Sequence, residues 1–180
     1  MEWQRRQYID YVADIVRWKL ELDVPITTEK LCQVINDKLP GRCIQAGLSN
    51  DVSRPVSMTV NGTDKENMFE IRYLPEQPDN KTAFLIAHEL GHLFLHILLD
   101  EEGKVKEEVK EKEFYTSEEN MDADEFAAAL MMPDERFIDV LIDASFAEKQ
   151  GNAVITAVAK EFNVTWQAAY VRAVVLGLWR

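Results

Sequence analysis

Cysteine, histidine, proline and glycine are all scarce in this 180-residue chain, at two, three, six and seven. Two cysteines cannot build a disulfide framework, and with no second pair they make no zinc knuckle. Cys32 and Cys43 therefore read as buried or incidental thiols of a reducing compartment. Basic charge is also short: 20 lysines and arginines face 32 acidic residues, for a formal net charge of −12 and a pI near 4.7. Such a surface does not attract DNA or an anionic membrane non-specifically. Long apolar runs are absent too. The most apolar stretch, residues 83–99, is interrupted by His88, Glu89, His92 and His96 and is short for a bilayer span. Met1 to Arg6 is not followed by the apolar core of a secretory signal. These absences point to a cytoplasmic protein without internal repeats or low-complexity tracts.

What is present is enough apolar material, 47% of residues, for one compact domain spanning 1–180. Three parts are expected within it: N-terminal helices (1–43), a sheet and histidine-bearing core (44–145), and a C-terminal helical tail (146–180). Tyr8, Tyr11, Val12, Ile15, Trp18 and Leu22 form a helical stripe that Pro25 ends. A second helix runs from Thr28 through Leu31, Val34, Ile35 and Leu39 to Pro40-Gly41. Val56, Met58 and Val60 alternate with polar residues, Asn61-Gly62 signals a turn, and Phe69, Ile71 and Tyr73 alternate again, predicting an antiparallel hairpin. A mostly apolar helix follows over 81–99. Residues 100–125 hold twelve acidic residues against four lysines and read as a solvated excursion. Helices are then expected at 121–132, stopped by Pro133, after Asp134, at 154–162 and at 165–176.

All three histidines lie within nine residues, as His88-Glu89-Leu90-Gly91-His92 followed by His96. Positions i and i+4 share a helix face, so two imidazoles there can converge on one zinc ion. Glu89 falls beside such an ion, placed to take a proton from its water. Gly91 would weaken a free helix by about 1 kcal/mol, so a close neighbour is expected there. His96 continues the series, but eight residues of helix put its Cα about 12 Å from that of His88. One ion cannot bridge that span, which leaves His96 a supporting or structural role.

A catalytic zinc usually has three protein ligands. With no histidine left, the third is expected on the helix near residues 118–125. Asn120 and Asp124 share one face of it at i, i+4, with Glu119 and Asp122 to either side.

His88 to His96 (HELGHLFLH), followed by Asp122 to Pro133 (DADEFAAALMMP), resembles the ImmA/IrrE family of metallopeptidases. The resemblance spans roughly residues 55–145 and extends weakly into the tail. It implies an α+β fold with a zincin-like minimal metallopeptidase core. That core is mostly helical, with a small antiparallel sheet and a C-terminal helical tail. It also implies one Zn²⁺, held by His88 and His92, with Glu89 as the catalytic base. The family's glutamate ligand would fall at Asn120, so the third ligand stays open among Asn120, Asp124 and Glu119. Asp124 otherwise matches the family residue that supports a ligating histidine. The implied substrate is a helix-turn-helix transcriptional repressor, cleaved in phage, mobile-element or stress regulation. The alternative is a catalytically weakened relative that binds such a partner, or a toxin–antitoxin partner, without cleaving it. Tyr115 and Tyr73 are candidate oxyanion donors, with packing the simpler role for each. The tail has a helix-turn-helix outline, but residues 150–180 carry only Lys160, Arg172 and Arg180 against Glu161. Direct DNA reading would need a basic face and is not expected.

Overall fold

The computed structural model describes residues 3–47, 54–62, 68–99, 104, 106, 115–147 and 151–179. Seven α-helices and three strands are arranged among them, in an α+β fold. The order is α1 (Trp3–Leu20), α2 (Thr28–Lys38), β1 (Gly41–Gln45), β2 (Val56–Val60), β3 (Phe69–Tyr73) and α3 (Asp79–His92). A π-helical extension, Leu93–Leu98, continues α3. Then come α4 (Ser117–Met131), α5 (Asp134–Phe146), α6 (Asn152–Glu161) and α7 (Trp166–Val175). Half of the expected acidic excursion lies outside the described residues, and its end, from Ser117, is not a solvated loop but the start of α4. None of the described helices is long and apolar enough to cross a membrane.

The hairpin forms as its alternation predicts, with Val56 opposite Tyr73 and Val60 opposite Phe69. Gly62 has a positive φ of 87°, open to glycine without strain, and the rest of the turn expected at Asn61-Gly62, from 63 to 67, lies outside the described residues. The sheet nevertheless differs from the expected antiparallel one, because β1 joins β3 in parallel and the order is β1-β3-β2. Only five residues long, β1 has too little alternation to read locally. Its place is fixed by the approach of Phe69, whose ring fills the space that a Cβ at Gly41 would need.

The expected stripe on α1 is corrected as well. Tyr11 and Trp18 are exposed at 64% and 72%, while Ile9, Val12, Ala13 and Val16 are buried. Both stripes have helical spacing. The one that packs against α4, the main partner of α1, is the smoother aliphatic face. Cys32 and Cys43 are also not separate thiols: α2 folds back onto β1 and brings them into a disulfide.

The helix starts follow from local chemistry. Thr27, Thr116 and Thr165 cap α2, α4 and α7 by accepting from the backbone N–H three residues on. Asn163, at φ 54°, makes the α6–α7 turn and donates to Ile26 O (3.0 Å) and to the Asp79 carboxylate (2.6 Å). That contact ties the tail to the start of α3. The tail's other anchor is Arg172, whose buried guanidinium binds Glu125 of α4 (2.5 Å), Asp134 of α5 (2.5 Å) and Asp10 of α1 (3.3 Å). Arg172 is therefore spent inside the fold and offers no charge to a nucleic acid.

Candidate metal centre

The first turn of α3 is pinned from both sides of the chain. Thr28 N donates to Asp79 Oδ1 at 3.1 Å, and Asn163 reaches the other carboxylate oxygen. Beyond it, Ala83, Ile86, Ala87, Leu90 and Leu93 turn into the core. Fully burying one such aliphatic side chain is worth about 1.5–3 kcal/mol, so the apolar face fixes the helix rotation. His88 and His92 then have no choice of direction. They emerge together toward the N-terminal half of α4.

Gly91 is where the two helices meet. A Cβ there would lie 2.9 Å from Ala123 Cα, 3.0 Å from Ala123 O and 3.2 Å from Phe126 Cβ. The close neighbour expected at this glycine is thus the backbone of α4. This approach brings the carboxylates and the amide of α4 within reach of the imidazoles on α3.

The Nε2 atoms of His88 and His92 face each other at 3.1 Å, with the rings nearly perpendicular at 82°. On the far side of His88, Nδ1 lies 2.7 Å from Asp124 Oδ1. On the far side of His92, Nδ1 lies 3.0 Å from His96 Nδ1. Tyr115 stacks on the His92 ring at a centroid distance of 3.6 Å. Burial pushes the His92 pKa down to about 3, and His88 and His96 push it the same way. A hydrogen bond accepted by Asn120 and the charge of Glu119 oppose the shift. His92 is therefore a neutral imidazole in this environment, with a lone pair to offer.

Glu89 is one residue on from His88 and partly buried. Burial raises its pKa above the usual glutamate value, against weaker opposing pulls from His88 and Arg54. A carboxylate held at raised basicity can accept a proton from water.

Each of the three residues weighed as third donor has a definite place. Asp124 engages the outer nitrogen of His88. Glu119 accepts from the Thr116 backbone N–H at 2.9 Å, completing a capping box at the start of α4. Asn120 donates to Thr116 O (2.8 Å) and Tyr115 O (3.3 Å), and its side chain also bonds His92. Asn120 is thus the one that reaches His92 from α4, and it brings a neutral amide. Accordingly, no group of three or more His, Cys, Asp or Glu among the described residues is arranged to hold a metal ion. Tyr73 lies in β3, partly buried against the core.

Two contacts had no signal in the sequence. Asp122 is held by Arg5 of α1, 117 residues away, through Nε (3.0 Å) and Nη2 (2.7 Å). Its Oδ2 also lies 3.7 Å from His96 Nε2. No local pattern announces an arginine in the first helix as part of this cluster.

The donor chemistry fits a metal at two positions. A tetrahedral zinc with bonds of about 2.0–2.1 Å separates two ligating nitrogens by about 3.3–3.4 Å, close to the 3.1 Å found here. If Asp124 and His96 hold the outer protons, both inner nitrogens carry lone pairs. Two lone pairs at that distance repel unless a cation or a proton lies between them. A family model described as the IrrE N-terminal-like domain, Peptidase_M78, matches residues 60–174, well over half of the chain. No curated protein matches it.

Proposed function

Taking as its premise that the chain belongs to the IrrE N-terminal-like, Peptidase_M78, family, we propose that it is a zinc-dependent endopeptidase. In this reading His88 and His92 hold one Zn²⁺ through Nε2, and Glu89 is the catalytic base. The observation that carries it is the pair of ring nitrogens converging at 3.1 Å, each with its outer nitrogen already engaged. Asn120, through its amide oxygen, is the residue best placed to complete the set. Zinc bound there would supply a Lewis acid that acidifies water and polarises a carbonyl.

The chain's own residues account for the remaining chemistry. Asp124 accepts the His88 Nδ1 proton and so keeps the inner nitrogen free. Glu89 takes a proton from the attacking water and returns it to the departing amine. Its burial serves both steps, since a more basic carboxylate accepts more readily and still releases to an amine. The proposed substrate is a cytoplasmic helix-turn-helix repressor in phage, mobile-element or stress regulation. Zinc-loaded protein incubated with a candidate repressor, read by mass spectrometry, tests this. Glu89→Gln should keep zinc and lose cleavage by about 10²–10⁴-fold, the usual contribution of a general base. Cleavage at the wild-type rate by that variant would sink the mechanism.

A second reading is favoured by one observation: the α4 residue beside His92 is an amide, where a carboxylate would complete the set. On that reading the protein binds a repressor or toxin–antitoxin partner without cutting it. Metal analysis of protein purified without added zinc separates the two. Full occupancy supports the peptidase; substoichiometric metal restored by Asn120→Glu supports the binding protein.

A further inference from the structure

We propose that His96 is a positioning residue: a chain running Arg5, Asp122, His96, His92 fixes the tautomer of His92 and keeps its Nε2 free of hydrogen.

A neutral imidazole carries one proton, so the bond made by one nitrogen decides what the other can do. His92 Nδ1 and His96 Nδ1 are 3.0 Å apart, and one must donate to the other. If His96 donated, its own Nε2 would be an acceptor. That atom is buried, has no hydrogen-bond partner and faces the Asp122 carboxylate at 3.7 Å. A lone pair aimed at a carboxylate is repelled, whereas an N–H aimed at it is attracted. The guanidinium of Arg5 holds the Asp122 carboxylate in place with two bonds to Oδ2. The His96 proton therefore sits on Nε2, His96 Nδ1 is the acceptor, and His92 Nδ1 is the donor.

His96 can do this because of the helix it sits on. The chain leaves α-helical geometry after His92 and winds as a π-helix over Leu93–Leu98. Such insertions are rare and occur frequently at functional sites. The wider winding swings the His96 ring behind His92. Lys106 closes the end of this segment by donating from Nζ to His96 O at 2.7 Å and from its backbone N–H to Leu98 O at 2.8 Å. The two histidines of the pair are thus set by different means: His88 by a carboxylate directly, His92 by a carboxylate acting through a second imidazole.

The consequence for metal affinity rests on the zinc reading above; the tautomer does not. The test uses the full chain, free of metal, with long-range ¹H–¹⁵N spectra of the imidazoles. Three histidines allow assignment by single substitution. The expected result is His92 protonated on Nδ1 in wild type and shifted toward Nε2 protonation in His96→Phe. His96→Gln, whose amide oxygen can accept the same proton, should restore the wild-type pattern. Asp122→Asn should weaken it. Zinc affinity, read by competition with a chromophoric chelator, should fall about 10–100-fold in His96→Phe and recover in His96→Gln. If His96→Phe does not fold, the Gln and Asn variants decide. His92 protonated on Nε2 in wild type, or unmoved in all three variants, overturns the proposal. So does a tautomer that follows Asn120→Ala and not His96. The expected tautomer in a protein that binds no zinc would overturn the metal reading alone.

Discussion

Replacing Gly91 by alanine tests whether the α3–α4 contact builds the site. The substitution has two opposed effects. Alanine favours a helix over glycine by about 1 kcal/mol. Against that, the new methyl would meet Ala123 Cα at 2.9 Å and Ala123 O at 3.0 Å. These are backbone atoms of a buried helix and cannot swing aside as a side-chain tip would. Overpacking costs about 1–3 kcal/mol, and a rigid neighbour places this case at the upper end. The net expectation is a loss of about 1–2 kcal/mol, and a Tm drop of roughly 2–8 °C for a chain of this size. Gly47→Ala is the matched control, because nothing lies within 4 Å of its Cβ position. Urea unfolding of both variants, read by circular dichroism, gives the difference. Because Ala123 adjoins both Asp122 and Asp124, separating the helices should also lower zinc affinity. A Gly91→Ala protein as stable as wild type, or more so, refutes the claim that close backbone approach requires glycine here.

Arg172→Met should destabilise by about 3–5 kcal/mol, the cost of removing one partner from a buried ionic cluster, since it leaves Asp10, Glu125 and Asp134 facing one another; urea midpoints check it. Burial raises the Asp10 pKa above 3.8 despite the opposing charge of Arg172. The stability this residue adds is therefore complete below pH 3.8 and is lost as pH rises through the folded-state value. Asp10→Asn should remove that loss, so its advantage over wild type should grow across the same window in urea midpoints taken from pH 3.5 to 7. Thr116→Ala removes the N-cap of α4 and should cost about 0.5–2 kcal/mol.

The local features of this protein were legible because their causes are local. The start of α4 was set four residues late, at 121, because Thr116 and Glu119 build its cap inside an acidic run that reads as solvated; hydrophobic alternation over 56–60 and 69–73 placed the hairpin. The tail helices came from the same periodicity. The face of α1 was misread because two stripes share one period, and only the partner helix chooses between them. Strand β1 was missed because five residues that pair in parallel with a distant strand leave no alternating signature.

The candidate site divides in the same way. That His88 and His92 share a face, with Glu89 beside them, is a property of the α-helix and needs no other part of the chain. The identity of the residue at 120 is likewise written in the sequence, and with it the lack of a carboxylate beside His92. What surrounds the imidazoles was decided only by folding. Asp124 meets His88, Asp122 backs His96, and Arg5 arrives from the far end of the chain because Gly91 lets α4 approach and α1 lies along it. Spacing along one helix is fixed by covalent geometry. Proton positions on a histidine are fixed by whatever the tertiary structure sets against its second nitrogen.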